Sequence, residues 1–138
     1  MVISRELHIR TTGHTDVHDI TSPVQAQVSD SGLWAGIVTV FCPGSTGGLT
    51  TIEYESGVVA DLREALEGLA PEDRDYLHHQ RWGDDNGSAH IRAALVGPSL
   101  TVPFVAGRLT LGAWQQIVFL DFDTTPRARK LIVQVMGE

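Results

Sequence analysis

Apolar and polar positions alternate at the start of the chain. Ile3, Leu7 and Ile9 share one face of residues 2–12, which predicts a half-buried strand with His8 on the solvated side. His18-Asp19-Ile20-Thr21-Ser22-Pro23 predicts a helix start, capped by Thr21 or Ser22. Pro23 is tolerated early in a helix because its missing N–H would be unpaired there anyway. Val24 and Val28 mark the buried side of this helix, and Gly32 ends it. Residues 34–41, WAGIVTVF, predict a strand, and their near-continuous apolar character predicts burial on both faces.

Pro43-Gly44-Ser45-Thr46-Gly47-Gly48 predicts a loop, followed by a polar strand over 49–54. A helix over 58–69 carries the stripe Val58, Val59, Leu62, Ala65, Leu66 and Leu69. A third helical stretch runs from Asn86 or Ser88 to about Val96, with Asn86 as cap and Gly97-Pro98 as its end. The remainder reads as strands over 100–105, 108–111, 114–122 and 129–136. Turns fall at Ala106-Gly107 and Thr124-Thr125-Pro126. The pattern predicts an α+β fold of mostly antiparallel sheets with two or three helices, in a single domain spanning 1–138. A doubly wound parallel sheet needs a regular strand–helix alternation that is missing here.

Composition narrows the function classes. A chain of 138 residues is one ordinary domain. The net charge of −7 argues against general nucleic-acid binding, which rests on Lys and Arg neutralising phosphates. No apolar run approaches the roughly 20 residues needed to span a bilayer. The opening MVISRELHIR has charges where a signal peptide needs an apolar core, so a cytoplasmic protein is expected. The single cysteine, Cys42, has no internal disulfide partner, which fits a reducing compartment. It reads as a small buried apolar residue rather than a nucleophile.

Candidate chemistry concentrates in two stretches, residues 76–97 and the loop 43–53, which are expected to face each other across one small-molecule site. In the loop, glycines let backbone N–H groups converge on an anion, and Ser45 and Thr46 add hydroxyls. The run matches neither a P-loop nor the dinucleotide pattern G-x-G-x-x-G, and a plain turn is an equal alternative. Glu53 and Glu55 share a strand face, so Glu53 is a candidate base or metal ligand, or simply solvated. Asp61 lies near the edge of the buried face of its helix and reads as an exposed charge. In 76–97, His78, His79 and His90 stand with Trp82, Asp84, Asp85 and Asn86. Each histidine alone reads more readily as structural or solvated. As a cluster, His78 and His90 become candidate metal ligands, Asn86 a hydrogen-bonding contact and Trp82 a stacking surface. His79 reads as a bystander. Gln115 is placed to orient a polar ligand, and Arg127 with Arg129 to hold phosphate or to sit on a solvated hairpin edge.

Several separate stretches resemble one family together. They are His18-Asp-Ile-Thr21, Ser45-Thr-Gly-Gly-Leu-Thr-Thr-Ile-Glu53, Asp61-Leu62, Tyr76-Leu-His78, Asn86 through His90, Gly97-Pro-Ser99, Gly107 through Gly112, Trp114-Gln115 and Arg127-Ala-Arg129. In this order, over nearly the whole chain, they resemble the YjbQ family, also labelled UPF0047 or secondary thiamine-phosphate synthase. The resemblance implies a homotrimer built around packed sheets. It implies a polar cleft holding the histidines and Glu53, with Glu53, His78 and His90 in catalytic roles. It also implies a transferase that joins a pyrimidine pyrophosphate to a thiazole phosphate and releases pyrophosphate. A divalent metal, Mg²⁺ or Zn²⁺, on His78 and His90 and a small phosphorylated ligand on Ser45, Thr46, Trp82, Asn86, Gln115 and Arg127 complete that expectation. The alternatives are a phosphometabolite- or metal-binding trimer without turnover, and a trimer whose cleft is incidental. Many members carry His-Thr-Thr where this chain has Gly44-Ser45-Thr46, which shifts imidazole chemistry onto His78 and His90.

Overall fold

The computed structural model describes all 138 residues. In chain order the elements are β1 (Val2–Thr11), β2 (Asp16–Asp19), α1 (Thr21–Ser31), β3 (Ala35–Phe41), β4 (Gly47–Ile52) and α2 (Ser56–Leu69). They continue with α3 (Leu77–Trp82), α4 (Gly87–Val96), β5 (Ser99–Val105), β6 (Arg108–Leu109), β7 (Gln116–Asp121) and β8 (Arg127–Gly137). The α+β reading holds, with four helices rather than two or three. The additions are short. His18 and Asp19 belong to β2, which pairs with β7, and the helix begins only after them. Asp19 accepts hydrogen bonds from the Thr21 N–H and hydroxyl, so the capping group lies upstream of the predicted one.

Two antiparallel sheets form, one ordered β1-β8-β3-β5-β6 and the other β2-β7-β4. The inner face of the large sheet packs Val38, Val40, Val102, Phe104, Leu131, Val133 and Val135 against α1 and against Leu49, Ile117 and Phe119 of the small sheet. The other face of the small sheet packs Val17, Val118, Leu120 and Phe122 against Leu66 of α2 and Ala89 and Ala93 of α4. The result is three layers: sheet, sheet and helices.

The strand buried on both faces is therefore β7, not β3. Ile117, Val118, Phe119 and Leu120 are all fully buried, and alternation sends them to two different cores. In β3 only Val38 and Val40 are buried, and Phe41 and the preceding Trp34 are exposed. The outer face of the large sheet stays open. Strand register places Val2, Met136, Ile37 and Pro103 in one apolar row across it.

Helix α2 starts on Glu55, whose carboxylate accepts the N–H groups of Gly57 and Val58. Its buried stripe is Leu66 with Val59 and Leu62 beside it, whereas Leu69 is exposed. Glu55→Ala is expected to cost about 1 kcal/mol, the usual loss for removing an N-cap acceptor. Chemical denaturation of the two proteins checks it, and an unchanged midpoint would remove Glu55 as the cap.

Candidate functional site

Alternation along β8 places Arg127 and Arg129 on the same inward side as Leu131, Val133 and Val135. Alternation along β7 places Asp121 beside Ile117 and Phe119, between the sheets. The two strands deliver a buried ion pair at the end of the apolar core. Arg129 Nε and Nη2 donate to the Asp121 carboxylate at 2.7 and 2.8 Å. The Thr11 hydroxyl and the Asp123 N–H also donate to Asp121. Asp123 accepts from the Thr46 hydroxyl at 3.0 Å, from the Thr124 N–H at 2.8 Å and from Arg127 at 2.9 Å. Thr46 in turn accepts from Arg129 Nη2 at 2.7 Å.

Burial pushes both carboxyls upward, but these donors outweigh it and hold Asp121 and Asp123 below the ordinary carboxylate range. The hydrogen bonds to Asp121 raise Arg129 against the cost of its own burial. Cys42 lies under the loop, and burial pushes its thiol up despite the nearby Arg129, which agrees with a packing role.

Asp123 links this network to the histidines. The Asn86 amide reaches Asp123 at 3.5 Å, and its oxygen accepts from His78 Nε2 at 3.1 Å. The same Nε2 lies 3.0 Å from Asp84. Both partners are acceptors, so Nε2 carries a proton. The rings of His78 and His90 meet edge to face, with centroids 4.4 Å apart. His90 Nδ1 lies 3.1 Å from the Ser45 carbonyl, which only accepts, so Nδ1 carries the proton and Nε2 presents a lone pair. His90 is the shared wall of two pockets. One of about 300 Å³ is lined by Gly44, Ser45, Gly47, Ala93, Ala94 and Pro98. The other, of about 370 Å³, includes Tyr76, His78, Gly87 and Ile91.

The structure thus unites Ser45, Thr46, His78, Asn86, His90 and Arg127. The Thr46 hydroxyl is committed to Asp123 and Arg129, and so serves the network rather than an open pocket. Glu53 and Gln115 lie elsewhere, which corrects the expectation of one cleft between Glu53 and the histidines. Strand β4 runs from the loop to Ile52, so at about 3.3 Å per residue Glu53 stands roughly 20 Å from Thr46. Gln115 is at that far end, donating to Thr51 and lining clefts of about 420 and 520 Å³. Trp82 is exposed, lines neither pocket at His90, and has the Arg81 guanidinium over its ring. His79 is no bystander. Its Nε2 accepts the N–H of Gly87 at 2.9 Å and caps α4, whose Asn86 makes no side-chain cap. No group of three or more His, Cys, Asp or Glu side chains converges as a metal site would require. A Zn²⁺ cage on His78 and His90 therefore lacks a third protein donor.

Asp121, Asp123 and Arg92 were not singled out by sequence. The signal for the first two is two carboxylates within the apolar run 117–123. Arg92 is buried in α4, where it donates to the Ala70 carbonyl, the Thr15 hydroxyl and Glu67. Behind Asp123, residues 13–15 all hold positive φ. A Cβ on Gly13 would stand 2.5 Å from the Asp123 carbonyl oxygen, so only glycine fits. His14 there donates its N–H to that carbonyl, and its ring pairs with Glu72, which raises the imidazole pKa.

Comparison with known proteins gives one answer. A family model described as UPF0047 protein YjbQ-like matches residues 5–138. A UPF0047 protein of Methanothermobacter thermautotrophicus is 39% identical over 137 residues, covering 99% of this chain and 94% of the relative. The Bacillus subtilis UPF0047 protein YugU is 33% identical, covering 96% of this chain and 98% of its own. A crystal structure of a YbjQ-like protein of unknown function from Sulfolobus solfataricus superposes with a TM-score of 0.94 at 28% identity, over 100% of this chain and 99% of that one. A YjbQ/UPF0047 family protein from Clostridium acetobutylicum superposes with a TM-score of 0.87 at 35% identity, over 96% and 99%. With its model matched almost end to end and its relatives sharing both sequence and fold, the chain belongs to the YjbQ (UPF0047) family.

Proposed function

We propose that the chain is a small-molecule transferase resembling secondary thiamine-phosphate synthase, acting on a phosphorylated ligand at the pocket between the loop 43–48 and α4. The observation that carries this reading is His90. Its Nδ1–H is fixed on the Ser45 carbonyl, and its Nε2 faces no protein partner. Such an imidazole takes or gives a proton at Nε2. His78, held by Asp84 and Asn86, packs against it and fixes the ring. The departure of pyrophosphate needs hydrogen-bond donors at the leaving group, which the N–H groups of Gly44 and Ser45 would supply. The donor set fits Mg²⁺ better than Zn²⁺, because Mg²⁺ takes one or two carboxylates together with ligand phosphates. Asp84, which stands 3.0 Å from His78 Nε2, is the carboxylate beside the histidines that would hold such an ion.

The test mixes the protein with both phosphorylated precursors and Mg²⁺. Thiamine phosphate is expected, with the rate in His90→Ala reduced about 100- to 10,000-fold, the range for loss of a general acid or base. Product no greater than that of the His78→Ala, His90→Ala double variant sinks the transferase.

A second reading is a phosphometabolite-binding protein without turnover. It is favoured by the way Asp121, Asp123, Arg127 and Arg129 neutralise one another. Ligands would then raise the melting temperature by mass action with no product. In either reading we propose a homotrimer. The apolar row Val2, Met136, Ile37 and Pro103 on the open sheet face supports assembly. No helix of the chain is long and apolar enough to cross a membrane.

A further inference from the structure

A guanidinium carries five N–H donors. In Arg129, Nε and Nη2 are taken up by Asp121 and Thr46. Nη1 has no acceptor in the chain, although the side chain is only 11% exposed. It is not among the sealed, unpartnered polar atoms, which are Gln27 Oε1 and Ser88 Oγ, so it reaches solvent. What it faces is Gly44. A side chain at that position would begin 3.5 Å from Nη1 and would meet nothing else within 4 Å. The missing side chain therefore leaves open space in front of a largely buried cation. The backbone N–H groups of Gly44 and Ser45 also donate to no protein acceptor. Both residues line the pocket shared with His90.

We propose that Arg129 Nη1 and the N–H groups of Gly44 and Ser45 anchor a terminal phosphoryl group, admitted because position 44 has no side chain. Arg129 Nη1 and the two loop N–H groups make three donor sites. A phosphoryl group offers three terminal oxygens to such a set, whereas a carboxylate offers two in one plane. The two carboxylates and two arginines offset one another, Asp121 with Arg129 and Asp123 with Arg127, so the anchor rests on directed N–H donors rather than on net charge. Asp121 fixes the orientation of the guanidinium, so Nη1 points without further ordering. The ligand class of the pocket follows from the functional reading above, while the anchor itself requires no turnover.

The test titrates the ¹⁵N-labelled full chain with inorganic phosphate, inorganic pyrophosphate and acetate, following backbone amides and arginine Nε–H signals. Saturable shifts at Gly44, Ser45 and Arg129 are expected with both phosphates, at affinities at least tenfold better than for acetate. In Arg129→Lys, which keeps a cation for Asp121 but has no second terminal nitrogen, the phosphate Kd should rise at least tenfold. Shifts confined to other residues, equal response to acetate, or an unchanged Kd in folded Arg129→Lys overturns the anchor. If that variant does not fold, the wild-type titration decides alone. Phosphate anchored here without thiamine phosphate being made removes the transferase and keeps the anchor. Product formation with these signals unmoved does the reverse.

Discussion

Asp121→Ala should cost about 3–5 kcal/mol of stability, the range for breaking a buried ion pair from one side. For a chain of this size that is a fall in Tm of roughly 10–20 °C. Asp121 is fully buried and its partner Arg129 nearly so. The substitution strands the guanidinium, the Thr11 hydroxyl and the Asp123 N–H, each of which now donates to the lost carboxylate. The lost partners differ from a lost surface pair, where water replaces the contact at little cost. The same residues set an acid limit. Asp121 and Asp123 are held below their ordinary pKa, so their contribution is complete above the unfolded value near 4 and is lost as pH falls through the lower folded values. Urea melts of wild type between pH 7 and pH 2 should show stability falling mainly below about pH 4. The Asp121→Ala protein should show a shallower fall from a lower plateau. A variant within 1 kcal/mol of wild type at pH 7 refutes the pair as a structural keystone.

What the sequence disclosed follows from which physical signals are periodic. Strand β8 was legible because Leu131, Val133 and Val135 alternate, and the same alternation carries Arg129 and Arg127 to the inner side. Extending the pattern two residues further would have marked Arg129 as buried and so in need of a carboxylate. The run over 34–41 misled because apolar density says nothing of how many layers cover a strand. That strand lies in the outer sheet, while 116–121, of similar density, is sandwiched between two cores. The histidine cluster was legible because His78, Asn86 and His90 are near in sequence. Glu53 was misplaced for the opposite reason. Its strand starts at the site and runs away from it, a matter of direction that no local pattern encodes. His79 was undervalued because its partner is a backbone N–H eight residues on, across a helix–helix corner.

Arg92→Met is the second large loss, about 2–4 kcal/mol, and it separates two explanations of one residue. Arg92 is 2% exposed and spends most of its donors on buried acceptors: the Ala70 carbonyl twice and the Thr15 hydroxyl. It also pairs with Glu67 and lies near Glu72, whose side chains are 52% and 32% exposed. If the carboxylates were the reason for the arginine, Glu67→Ala would be nearly as harmful as Arg92→Met. The burial argues otherwise. Glu67 is solvated, so its removal should cost no more than about 1 kcal/mol. Removing Arg92 leaves a buried carbonyl and a buried hydroxyl unpaired, at about 1–3 kcal/mol each before relaxation. The same bonds tie three pieces of backbone that share no sheet: the end of α2 at Ala70, the left-handed residues 13–15 and helix α4. Residues 13–15 abut the Asp123 carbonyl, and α4 carries His90 two residues before Arg92. Arg92→Met should therefore also speed amide exchange across α4 and at His14. Equal destabilisation by Glu67→Ala and Arg92→Met would return the role to the surface ion pair.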